Sequence, residues 1–286
     1  MVSVIIPSRN ERFLAPTVAD VLAKATGAIE VLVILDGYWP DPPLPDDPRL
    51  RIIHRGKAQG MRQGINAAAA IARGEWLMKA DAHTMWAEGF DETLAASCDG
   101  DWIVVPRRYA LDAEAWAWET GNPKYPIDAH YLSFPYERPD DSECGMHGTP
   151  WTARRDARKD VWLDDEMSSQ GSAWFMSAKH FDRIGPMDTA MYGPFVSEFQ
   201  ELGNKTWLRG GAVKVNKRTW YAHLRKGKKY GRGYSLGPNQ FGQSRAIADY
   251  WMQDRWPGAT RSMRWLVEHF WPVPGWPADL DRVFAR

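Results

Sequence analysis

The first eighty residues alternate between short, almost unbroken apolar runs and segments with helical spacing, and this alternation restricts the possible fold more than any other feature. Val2-Ser3-Val4-Ile5-Ile6-Pro7 reads as a buried strand, and residues 14–25 place Val18, Val21 and Leu22 on one face of an amphipathic helix. Residues 29–35 form a second apolar run ending at Asp36-Gly37, and residues 50–53 a short third strand after the proline-rich loop 40–48. An alanine-rich helix over 61–72 follows, with Gly74 placed to close it as a C-cap, and then a strand over 75–80. Strands and helices in this succession predict an α/β fold of the nucleotide-binding kind, with a mainly parallel central sheet flanked by helices.

Residues 90–96 read as a helix and 102–106 as another strand. Between 113 and 170 the periodicity lapses amid Pro, Asp, Trp and Gly, which predicts a long functional excursion rather than a separate domain. Order returns with a strand at 171–176, whose small first residues would let a ligand approach the backbone. A short helix at 180–184, ended by Gly185-Pro186, precedes a helix over 198–208 capped by Gly210-Gly211 and a strand over 213–223. The longer helix puts Glu198 and Glu201 on one face. The tail carries Trp251, Trp256, Trp265, Trp271 and Trp276 and reads as amphipathic helices packed on the domain, a membrane-surface role being the other reading of these rings. The expected organisation is one domain over 1–245, with its excursion at about 113–170, and a tryptophan-rich helical extension over 246–286.

With 286 residues and 44% hydrophobic content, the chain is ample for a sizeable core. No apolar stretch approaches the roughly 20 residues that span a bilayer. Met1-Val2-Ser3-Val4 enters a strand without the basic start of a signal peptide, so a cytoplasmic location is expected. Cys98 and Cys144 form no CxxC pair and read as ordinary thiols.

Phosphate-binding loops are missing: the chain holds neither GxGxxG nor GxxxxGK[ST]. A ligand bearing phosphates would therefore have to be held by metal and by basic side chains. The basic side chains are concentrated, because Leu202 to Ala248 contains no Asp or Glu but eleven Lys and Arg. Such a block is either a solvated face or an anion site, and it suits phosphate-bearing ligands. For the metal, Asp81 and His83 stand two apart at the carboxyl end of a strand, where ligands of open α/β sheets collect, and His223 ends a later strand. An Asp or His in such a place also serves as a turn, cap or core residue.

Taken together, Ile5-Ile6-Pro7-Ser8-Arg9-Asn10-Glu11, Leu35-Asp36-Gly37, Gly60-Met61-Arg62, Asp81-Ala82-His83, Glu198 to Glu201 and His223 form an ordered set. It resembles family 2 glycosyltransferases of the GT-A fold, and in several details the polypeptide N-acetylgalactosaminyltransferases. The likeness covers about residues 2–230. It implies a nucleotide-diphosphate sugar donor, a UDP-sugar, with its diphosphate held through Mn²⁺ or Mg²⁺. Asp81 and His83 match the DxD or DxH metal element and His223 the histidine that completes it, and mixed oxygen and imidazole ligation suits Mn²⁺ better. Pro7, Arg9, Asn10 and Glu11 sit where the first strand meets the nucleoside. Asp36 sits where an acid contacts the base, or forms the turn before Gly37. Arg62 matches a helix-start arginine near the donor diphosphate, and Lys226 a basic residue of a mobile loop to which Lys228, Lys229 and Tyr230 also belong.

The departure lies at Glu198-Phe199, where inverting members carry Glu-Asp. Either Glu198 is the base, or the leaving phosphate assists the acceptor hydroxyl as in the retaining enzymes, with Glu198 or Glu201 orienting the donor sugar or capping its helix. The anomeric outcome stays open. For the acceptor, a saccharide, a protein hydroxyl and hydroxymethylated DNA of the bacteriophage type all fit. The basic block over 205–245, interleaved with Trp207, Trp220, Tyr221, Tyr230 and Tyr234, suits a DNA polyanion. Two other classes compete. A sugar nucleotidyltransferase would carry a Gly-rich basic loop after its first strand, which Ser8-Arg9-Asn10-Glu11 is not. A non-catalytic nucleic-acid-binding protein would leave Asp81, His83 and His223 unexplained.

Overall fold

A computed structural model describes residues 1–136, 145–195, 197–234 and 244–285. Cys144, part of the excursion and residues 235–243 of the basic block lie outside the described residues. The predicted succession forms as β1 (Val2–Ser8), α1 (Leu14–Lys24), β2 (Ile29–Asp36), β3 (Leu50–Arg55), α2 (Met61–Ile71) and β4 (Trp76–Ala80). β5 (Thr84–Trp86), α3 (Phe90–Ala95) and β6 (Trp102–Asp112) follow, β6 running well past its expected end at 106. The excursion contains β7 (Ala117–Trp118), β8 (His130–Leu132), β9 (Gly148–Pro150), α4 (Thr152–Ala157) and β10 (Leu163–Asp165). β11 (Ala173–Ser177), α5 (Ala178–Ile184), α6 (Thr189–Tyr192), α7 (Glu198–Leu208), β12 (Ala212–His223) and α8 (Gly227–Tyr230) come next, then α9 (Ser244–Met252), α10 (Met263–His269) and α11 (Leu280–Phe284).

The main sheet runs β10-β12-β6-β11-β4-β1-β2-β3. β3, β2, β1 and β4 are parallel, as are β6 and β12, while β11 enters antiparallel to both of its neighbours. Alternate residues of β1 serve two layers, as the two-residue period of a strand requires. Ile5 packs with Ile65 and Ala68 of α2, whereas Val4 and Ile6 pack with Val18 of α1 and Phe90 of α3. Each of these side chains larger than alanine contributes about 1.5–3 kcal/mol by its burial. A charge placed at Val18, which is 0% exposed, would therefore detach α1 from the sheet.

Gly74 does not cap α2. That helix ends at Ile71 with Ala72 as its cap, and Gly74 instead lies where a Cβ would stand 2.7 Å from Ser3 Oγ, the atom to which its own N–H donates at 2.8 Å. The tail helices share the core with α7: Trp251, Leu266 and Trp276 belong to the same buried cluster as Phe199 and Leu208. No helix among the described residues is long and apolar enough to cross a membrane.

Candidate active site

Between β4 and β5 the chain makes a turn at residues 82–83, and β5 then crosses to pair with β12. This pairing solves a problem of distance, since β11 and β6 separate β4 from β12 in the sheet. Thr84 faces His223 in register, and the N–H of Leu224 donates to the His83 carbonyl at 3.1 Å. The N–H of Asp81 donates to the Ser172 carbonyl at 2.9 Å. Asp81, His83 and His223 thus converge, each offering one ligand atom within 4.8 Å of the others.

Their charge states follow from their neighbours. Burial pushes the Asp81 carboxyl up, but Lys79, His223 and His83 outweigh it and hold it far below the usual carboxylate range. Burial brings His223 down to about 4, with its bond to Asp81 opposing, so the imidazole is neutral at neutral pH. His223 Nε2 lies 3.0 Å from Asp81 Oδ2. His83 Nδ1 lies 3.1 Å from Glu11 Oε2, short of a well-aligned hydrogen bond, which leaves its Nε2 on the side of Asp81. Glu11 also pairs with Lys226. Burial raises the Glu11 carboxyl, yet His83 and Lys226 leave it below its ordinary value.

These groups form one wall of a cleft of about 600 Å³ at the carboxyl ends of β1, β2 and β4. Pro7, Arg9, Glu11, Asp36, Asp81, His83, His223 and Lys226 all line it. Asn10 and Tyr230 instead line an adjoining groove of about 280 Å³. Asn10, at φ 49°, donates its side-chain amide to the Gly233 carbonyl at 2.7 Å, and the Arg9 guanidinium stacks over the Tyr234 ring at 4.5 Å. With Lys226 on Glu11 and Tyr230 Oη donating to Glu114 Oε1 at 3.0 Å, segment 225–234 is fastened across the mouth of the cleft. Asp36 lines the cleft, but its two oxygens accept the N–H groups of Gln59 and Gly60 at 2.8 and 2.9 Å. That places it at the turn into α2.

Three expected site residues lie elsewhere. Arg62 is 0% exposed, ion-paired with Glu201 and stacked over Tyr192, so it does not stand beside a donor diphosphate. Glu201 is equally buried, accepting from the N–H of Asp188 at 2.9 Å and pairing with Lys205 at 2.6 Å, which removes it from any acceptor. Glu198 does not line the cleft: its Oε1 accepts from Trp174 Nε1 at 2.6 Å and its Oε2 faces Lys79 Nζ at 3.2 Å. Burial raises its carboxyl, with Lys79 opposing. All three are drawn inward because α2 and α7 turn these faces to one core, where buried charges persist only in pairs.

The basic block divides in the same way. Lys205 pairs with Glu201, Lys214 with Asp165 at 2.5 Å, and Arg218 stacks on Trp162, while Trp207 and Tyr221 are core residues. Cations at the cleft come from segment 225–234, where Arg225, Lys226 and Arg232 line it. Cys98 is a free thiol that burial, with Asp99, pushes up to about 12.

Sequence reasoning missed Lys79, whose Nζ lies 2.5 Å from Asp81 Oδ1. The available signal was its place two residues before the acid, since that spacing puts both on one face of a strand.

A sequence profile described as Glycosyl transferase family 2 matches residues 3–162. Among solved structures, the chain is similar to GalNAc-T7 with UDP, GalNAc and Mn²⁺, at TM-score 0.67 and 17% identity, covering 88% of this chain and 49% of that one. It is also similar to S. aureus TarS 1-349 in complex with UDP-GlcNAc, at TM-score 0.56 and 13% identity, covering 88% and 66%. The chain thus spans about half the length of GalNAc-T7. No curated protein matches it in sequence.

Proposed function

The chain belongs to glycosyl transferase family 2, and from that premise we propose a metal-dependent transferase that moves a sugar from a nucleotide-diphosphate sugar, of the UDP class, to an acceptor hydroxyl. The observation that carries this reading is the convergence of Asp81, His83 and His223 in a cleft at the carboxyl ends of parallel strands.

The residues fit a divalent cation. One ionised carboxylate and a neutral imidazole stand ready, and Glu11 lies behind His83, on the side where a ligating ring takes its outer partner. A mixed oxygen and nitrogen donor set favours Mn²⁺ over Mg²⁺. When bound, the metal neutralises charge that grows on the departing nucleoside diphosphate. Arg9, Arg225, Lys226 and Arg232 bring positive charge to the same cleft, and Pro7 and Asp36 form the end at which the nucleoside is expected.

Among the described residues, the carboxylates lining the cleft are Glu11, Asp36 and Asp81, each already engaged. This supports a reaction in which the departing phosphate oxygen takes the acceptor proton. The acceptor oxygen bonds to the anomeric carbon as the bond to phosphate breaks, and the configuration is retained. For the acceptor, Arg225 and Arg232 lining the cleft, with the exposed Lys229 beside Glu114 on the same segment, favour a polyanion, hydroxymethylated DNA included.

A thermal-shift panel of nucleotide-diphosphate sugars with and without Mn²⁺, repeated on Asp81→Ala, tests the donor and metal. Stabilisation by one donor that requires Mn²⁺ and disappears in the variant is the expected result. Absence of a shift with any donor would overturn the reading. For the acceptor, transfer to hydroxymethylated DNA should fall steeply as salt is raised, and indifference to salt would rule out a polyanion.

A further inference from the structure

Lys79 is 1% exposed, yet its Nζ faces Asp81 Oδ1 at 2.5 Å, Glu198 Oε2 at 3.2 Å and the main-chain oxygen of Gly171. Three acceptors match the three N–H bonds of an ammonium, so this is a fixed cation inside the protein. The fold is shaped around it. A Cβ on Gly171 would stand 2.8 Å from Glu198 Oε2, and the Trp174 indole holds the other oxygen of Glu198. The small residue at 171 thus admits Glu198 and Lys79 rather than a ligand. The Asp81 oxygen taken by Lys79 is Oδ1, and the one facing the His223 imidazole is Oδ2.

Resting on the metal reading above, we propose that Lys79 is a positioning residue that serves as a built-in counter-ion to the metal site. By holding Oδ1 it leaves Asp81 a single oxygen for a cation. By its charge it offsets much of the attraction that Asp81 would exert. Protein alone therefore holds a divalent cation weakly, and a nucleoside diphosphate supplies the negative charge that completes the site. Glu198 lies behind Lys79 and balances it without facing the cleft, which is why a carboxylate stands there in a chain that does not use it as a base.

Isothermal titration of Mn²⁺ with and without UDP reads this directly. In the wild-type protein, UDP should tighten Mn²⁺ binding at least about tenfold, as a unit charge a few ångströms from a divalent ion demands. The double variant Lys79→Met/Glu198→Gln removes both buried charges together and leaves neither unpaired. Without UDP it should bind Mn²⁺ about tenfold more tightly than Glu198→Gln alone, and its gain from UDP should shrink. A lysine that merely supported the fold would lower the affinity or leave it alone when removed. The proposal is overturned if the double variant binds Mn²⁺ no more tightly than Glu198→Gln. Should that variant not fold, equal wild-type affinity with and without UDP overturns it as well. Wild-type Mn²⁺ binding that is absent, or that survives Asp81→Ala, would instead remove the metal reading and this inference with it.

Discussion

His223 lies 3.0 Å from Asp81 where β5 meets β12, and His130 lies 2.6 Å from Glu166 between β8 and the end of β10. The pairs look alike as lists of atoms, but they carry different charges. Burial and Asp128 push the Glu166 carboxyl well above its ordinary value against the pull of Arg108 and Arg154, and burial, with Arg108, brings His130 down to about 3. That pair is a carboxyl driven toward its neutral form beside a neutral imidazole. Asp81 is partly buried too, yet the Lys79 ammonium keeps it ionised. What separates a pair suited to a cation from one suited to holding the excursion in place is the third group behind the carboxylate.

The largest effect expected from this contrast is at Asp81. Asp81→Asn should lower kcat/KM for sugar transfer at least about a hundredfold, beyond what loss of an outer partner brings, measured as nucleotide released from the donor. An Asn variant within tenfold of the parent would break the contrast. Arg62→Met comes next, because it removes from buried Glu201 the guanidinium on one oxygen and leaves Lys205 and the Asp188 N–H to hold the other. A loss of about 3 kcal/mol in urea unfolding is expected, with Mn²⁺ affinity of the folded protein unchanged. Intact stability with weakened donor binding would return Arg62 to the diphosphate.

Glu166→Gln should do least in acid, below pH 4.5, where an amide replaces a carboxyl that is protonated folded and unfolded alike, and under about 1 kcal/mol is expected there. Its signature lies in the shape of the pH profile. Unfolded, the carboxyl releases its proton near the ordinary value of 4.5 and the imidazole near 6.5; folded, the carboxyl releases it only at higher pH and the imidazole takes one up only near 3. The carboxyl's contribution therefore declines as pH rises from 4.5 through its raised folded value, and the imidazole's declines as pH falls from 6.5 toward 3. Each arm has a slope of about 1.4 kcal/mol per pH unit. Urea unfolding across this range should show the alkaline arm vanish in Glu166→Gln, which has no proton to release. An unchanged arm would mean that the proton released does not come from Glu166.

The frame of the molecule was open to reading because its signals are local. β1 and β2 follow from near-continuous apolar runs, α1 from apolar period and α7 from its glycine close, and the strand-end position of Asp81 and His83 pointed to the cleft. What stayed hidden depends on depth. The helical spacing of Glu198 and Glu201 gave them a shared face but could not say that the face turns into the core. Arg62 opens α2 as expected, yet its partner is 139 positions away. The excursion defeated periodicity since its strands are two or three residues long and are held by ion pairs such as Arg107 with Asp128, at 2.8 and 2.7 Å, rather than by an apolar stripe. The antiparallel entry of β11 likewise depends on where that excursion returns to the sheet.

Trp251 and Trp276 each spend their single N–H on a different part of the protein. One donates to Tyr192 Oη at 2.7 Å, beneath the Arg62 guanidinium, and the other to the Leu132 carbonyl of the excursion at 2.7 Å. Leu208, at the end of α7, accepts the N–H groups of Thr260 and Arg261 at 2.7 and 2.9 Å. A shortened enzyme ending at residue 245 would thus lose one wall of its interior rather than an appendage. Anyone seeking a minimal catalyst should prune elsewhere and treat the last forty residues as part of its foundations.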